Sequence, residues 1–82
     1  MIAEINTVDD VRTFIREVKA EGLGDAFHPD DGFAGYVNME TGKATYELDE
    51  ASKRDDLLNK CFEVCEAAGM DIYDICLELV GE

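Results

Sequence analysis

Positive charge is missing from the last quarter of this sequence: beyond Lys60 there is no Lys, Arg or His, while Glu63, Glu66, Asp71, Asp74, Glu78 and Glu82 follow. Over the whole chain twenty Asp and Glu face seven Lys and Arg, a formal net charge of −13. Such a field repels DNA, RNA and anionic lipid, because binding to phosphate depends on cationic side chains displacing condensed counterions. Direct nucleic-acid binding is therefore not expected, and a basic protein, a basic peptide or a cation is the partner class that the charge attracts. Long apolar runs are missing too. Nothing approaches the length of a secretory h-region or a membrane span, and Glu4 stands among the first residues, so the expectation is a cytoplasmic chain with no membrane association. The three cysteines, Cys61, Cys65 and Cys76, are an odd number that cannot all pair within one chain, which points to free thiols in a reducing compartment.

Catalytic and ligand motifs are absent as well. Gly22-Leu23-Gly24 ends a helical pattern instead of opening one, and no Lys follows at Walker spacing, so no phosphate cradle forms. A calcium loop begun at Asp30 would place Gly32 and Ala34 at its third and fifth positions and Thr41 at its twelfth, where oxygen ligands are required. Cys61, Cys65, Cys76 and His28 invite a zinc reading, yet the tight Cys-x-x-Cys knuckle is lacking and Cys61 and Cys65 fall on an apolar helix face. His28 has no nucleophile at a legible spacing; Ser52 lies on a polar helix face. The expectation is no enzyme, no metal and no cofactor, with His28 a loop or cap residue.

What is present is a composition that folds. Hydrophobic residues make up 46% of 82, enough for one small domain and far more than a disordered acidic tail carries. Thr7 before Val8-Asp9-Asp10 reads as a helix start, and Val8, Val11, Phe14, Ile15 and Val18 recur on one arc until Gly22 and Gly24 stop the helix. From residue 25 to 48 the pattern weakens. A short helix over Phe33, Tyr36 and Val37, capped by Asp30, competes with a β-hairpin turning through Glu40-Thr41-Gly42.

Residues 50–68 give a third, clear helical pattern, with Leu57, Leu58, Cys61, Phe62, Val64, Cys65 and Ala68 on its apolar face. Gly69 should end it and Asp71 should cap a final helix over 72–80, buried through Ile72, Ile75, Cys76, Leu79 and Val80. The expected fold is thus an all-α domain of three or four helices ending in an αα-hairpin, with α+β as the alternative if 36–48 pairs as strands.

Two features exceed what a core needs. Arg54 falls on the same arc as Leu58 and Cys61, which is read as the first turn overhanging the core in preference to a guanidinium meeting an acidic partner. In the last helix Tyr73 and Leu77 widen the apolar arc beside Asp74 and Glu78, and with Glu63 and Glu66 they form a candidate partner-binding patch or homodimer seam. The function expected is a noncatalytic interaction or regulatory module docking a partner protein through its acidic surface. A nucleic-acid mimic that occupies the basic groove of a DNA-binding protein is the alternative, and a small thiol- or metal-dependent enzyme a third.

Overall fold

Helix α1, Val8–Val18, begins where its capping chemistry places it. In the computed structural model, which describes residues 1–80, the Thr7 hydroxyl accepts from the Asp10 amide at 3.1 Å, and the Asp10 carboxylate accepts in return from the amides of Thr7 and Asn6. This reciprocal box satisfies donors that a helix start leaves orphaned. Val11, Phe14, Ile15 and Val18 are fully buried along one face, as their spacing predicts. The chain then widens into a π-type turn, Lys19–Leu23, in which Gly22 takes φ 114°, and a 3-10 turn, Gly24–Ala26, follows. A side chain at Gly22 would be strained, so the stop is conformational.

The connection to the next long helix is organised by one aromatic ring. Phe33 is fully buried, stacked on Phe27 at 5.8 Å and set edge-on to Phe14 at 6.1 Å and Tyr46 at 5.7 Å. Its backbone forms a single 3-10 turn, Phe33–Gly35, before Tyr36 turns out into extended geometry. The expected Asp30 cap is not made. Gly32 occupies the cap position without a side-chain bond, and the Phe33 amide donates instead to Asp55 Oδ1 at 3.0 Å. The short helix therefore shrinks to one turn. The rival hairpin is reduced to an isolated antiparallel bridge between Val37 and Ala44, supported by Asn38 N to Lys43 O at 2.8 Å and Thr45 N to Tyr36 O at 2.9 Å. It goes no further because it has no face to bury: Val37 is 50% and Met39 94% exposed. Among the described residues there is no strand, and the fold is all-α.

Helix α2, Leu48–Ala67, buries Ala51, Leu58, Cys61 and Cys65, with Leu57, Phe62 and Val64 half-buried at the margins. Ala68, expected in that face, is exposed, because it is the cap residue at which the chain leaves the helix. Gly69 at φ 69° lets the Met70 amide reach the Cys65 carbonyl at 2.9 Å and the Gly69 amide reach Glu66 at 3.1 Å, the paired bonds of a Schellman stop. Asp71 Oδ1 then accepts from the Tyr73 amide at 2.9 Å and starts α3, Ile72–Glu78. This last helix packs on both α1 and α2 and buries Ile72, Ile75 and, just past its end, Leu79. Val80, expected in that stripe, is 56% exposed.

Candidate partner-binding surface

The cysteines are core. Cys61 and Cys65 are buried, Cys76 is half-buried, and all three are free thiols. Burial, followed by the proximity of Cys65 and Cys76, pushes the Cys61 thiol up to about 12, and burial raises Cys65 and Cys76 as well. Thiols so held are protonated at neutral pH and are poor nucleophiles. Among the described residues no three His, Cys, Asp or Glu side chains are grouped so as to hold a metal ion. His28 sits in a loop as a local brace: its Nδ1 accepts from the Asp30 amide at 3.2 Å, and its own amide donates to the Tyr36 hydroxyl at 3.1 Å.

Arg54 corrects the expectation of an overhanging turn. Its Nε and one terminal nitrogen each donate to Glu21 at 2.9 Å, a bidentate pair across 33 residues of sequence, and its Cζ lies 4.3 Å from the centroid of the Tyr46 ring. Burial pushes the Glu21 carboxyl up, but the Arg54 hydrogen bonds and the nearby Tyr46 hydroxyl outweigh it and hold the group below the ordinary carboxylate range. This is a clamp between the turn after α1 and the start of α2, spent inside the molecule.

Of the residues singled out for partner binding, Tyr73, Leu77, Asp74 and Glu78 lie on the part of α3 turned away from Ile72, Ile75 and Leu79. Leu77 is 71% exposed and Val80 continues its line one turn later, so the helix shows water an apolar flank beside an acidic one. Glu78 is partly spent, bonded to Arg12 Nε at 2.9 Å, while Asp74 has no side-chain partner among the described residues. Glu63 pairs with Lys60 at 3.1 Å on the outer face of α2 and stands apart from the rest. Glu66 and Tyr73 are brought together in a groove of about 490 Å³ beneath the α2–α3 turn, with Phe62, Met70 and Asp71.

The tie from Tyr73 to the loop before Phe33 had no signal in the sequence. Its hydroxyl donates to Asp30 Oδ1 and its ring meets His28 edge-on at 5.8 Å, across 43 residues for the Asp30 bond. That bond first, and burial second, raise the Tyr73 hydroxyl to about 12. Asp30 in turn lines a second groove, of about 360 Å³, with Asp31, Asp55 and again Phe62. A third groove, about 680 Å³ between the Met1–Ala3 arm and α2, has mixed charge: Lys53 and Lys60 are matched by Glu50 and Asp56, and Arg54 is already held by Glu21.

Fold and surface together define a small all-α domain of three helices with acidic grooves along α2 and beneath the α2–α3 turn. No protein-family model matches the chain, and neither a curated protein nor a solved structure does so. Among the described residues no helix is long and apolar enough to cross a membrane.

Proposed function

We propose that the chain is a noncatalytic interaction module of the cytoplasm that docks a basic protein partner. The observation that carries this reading is the outward face of α3, where Leu77 and Val80 are exposed beside Asp74, which has no side-chain partner among the described residues, in a segment with no base after Lys60. An apolar stripe rimmed by one sign of charge favours a partner of the opposite sign, since burial supplies affinity and charge supplies steering and register. A second copy is a poorer occupant, because two bodies of −13 repel on approach.

The nucleic-acid mimic has one observation in its favour, the row Asp49, Asp56 and Glu63 at seven-residue spacing along α2. Lys53 and Lys60 border that row and Lys60 already pairs with Glu63, which breaks the unbroken negative stripe that a phosphate backbone presents.

The test is affinity capture from lysate of the source cell at low and at high salt, followed by calorimetry on the purified pair. The expected result is one basic protein whose affinity falls steeply with salt and falls again with Leu77→Ala. A partner that is neutral or acidic, or binding indifferent to salt, would overturn the proposal.

A further inference from the structure

The two grooves on either side of Phe62 form one surface. They share that half-buried ring, and the Tyr73–Asp30 hydrogen bond fastens their rims together. Along the trough the apolar floor is Phe62 and Met70, while Glu66 and Asp71 line one end and Asp31 and Asp55 the other. No Lys or Arg lines either groove, unlike the mixed lining of the larger groove by the N-terminal arm. The acids are not exhausted by their internal bonds: Asp55 and Asp71 each use one oxygen on a backbone amide, and Glu66 has no side-chain bond among the described residues.

A lysine or arginine suits such a trough in both its parts. The methylene stem covers apolar floor, the cationic head reaches carboxylate, and an aromatic face adds attraction of its own. Carboxylates at both ends of a shared floor favour an extended chain over a single cation. Resting on the reading of the protein as a module for basic partners, we infer that this trough across Phe62, and not the α3 face alone, receives an extended segment of the partner in which basic residues alternate with apolar ones.

The test uses the full chain labelled with ¹⁵N, titrated at low salt with a short synthetic peptide alternating arginine with leucine. Amide shifts are expected at Phe62, Glu66, Met70 and Tyr73 together with Asp30 through Gly32. The paired change Asp31→Asn with Glu66→Gln, which spares the capping acids and leaves an amide oxygen at position 31 for the nearby Tyr36 hydroxyl, should weaken binding by about three- to tenfold, the worth of two partly exposed charges. The control pair Glu40→Gln with Glu47→Gln removes equal charge far from the trough and should change affinity less than about twofold. Equal losses in both pairs would show that net charge alone binds the peptide and would sink the inference. So would shifts confined to α1 or the outer face of α2, absence of binding, or equally tight binding of spermine, which has no apolar anchor. A basic protein captured with salt sensitivity whose footprint avoids Phe62 would leave the proposed function standing while the trough fell.

Discussion

Replacing Tyr46 with Phe is expected to leave the protein as stable as before or more so, against the usual effect of trimming a buried residue. Tyr46 is 6% exposed and its hydroxyl makes no hydrogen bond of ordinary geometry among the described residues, although it lies close enough to Glu21 to help keep that carboxylate ionised. Burying a hydroxyl without a bond costs about 1–3 kcal/mol, whereas losing the oxygen's packing contacts costs under about 1 kcal/mol. The ring is kept, and with it the contact to Phe33 at 5.7 Å and the Arg54 guanidinium at 4.3 Å. The balance is a change between nothing and a gain of about 2 kcal/mol. A real bond to the Glu21 carboxylate would reverse the sign, because a charge-assisted bond contributes about 1.5–3 kcal/mol. Urea denaturation followed by circular dichroism reads the difference as a shifted midpoint at constant slope. A loss above about 1 kcal/mol at unchanged slope would refute the reasoning and place a bond at that oxygen.

Other perturbations test the core, the thiols and the charge. Phe33→Ala removes the ring shared by Phe14, Phe27 and Tyr46 and should cost about 3–5 kcal/mol, enough to unfold a chain of this size at moderate temperature; a melting temperature within a few degrees of the parent would contradict it. Ellman's reagent at pH 8 should label the half-buried Cys76 first and Cys61 only on unfolding, with fast native labelling of Cys61 as the adverse result. Because the folded Cys61 thiol lies above its unfolded value, its contribution to stability is complete below about pH 8.5 and is lost as pH rises towards 12. Alkaline melts of Cys61→Ala, compared with the parent, should therefore show a shallower decline. Raising NaCl from low to moderate concentration should increase the melting temperature, since carboxylate repulsion at −13 outweighs the few ion pairs that salt also screens. A flat or falling value would show that the pairs dominate.

What could be read in the sequence was local. The Thr7 helix start, the Gly69 stop and the Asp71 cap each depend on residues within five positions of one another, and each stands where its residues put it. The apolar arcs of α1 and α2 were visible for the same reason. Residues at the ends of arcs were misjudged, as Ala68 and Val80 show, because periodicity does not say where a helix stops packing and starts to leave the core. Arg54 was placed on the correct arc but given the wrong company: its partner Glu21 is 33 residues away, and nothing local distinguishes a clamped guanidinium from an overhanging one. Asp30 likewise looked like a cap, and became a cap for nothing once Asp55 supplied the acceptor from α2. The trough follows the same rule. Glu66 and Tyr73 could be named singly, but the loop that Tyr73 ties to Asp30 could not.

The molecule presents itself as an acid to its surroundings because most of its cations are used internally. Its bases are largely committed to internal ties: Arg12 to Asp9 and Glu78, Arg54 to Glu21, Lys60 to Glu63, and Lys19 to the Leu79 carbonyl at 2.7 Å. Three of these join elements far apart in sequence, α1 to α3 through Arg12, the turn after α1 to the end of α3 through Lys19, and that same turn to α2 through Arg54, so positive charge is spent where the small core needs closing. Carboxylates such as Glu66 and Asp74 are left to face solvent with no side-chain hydrogen bond among the described residues, and there each adds to the repulsion. Neutralising them should stabilise the fold, as removing unpaired like charge does, while weakening the hold on a basic partner. A gain in melting temperature coupled to a loss of affinity in the same variant is the signature of acids kept for docking; a gain in both would mean that they serve solubility alone.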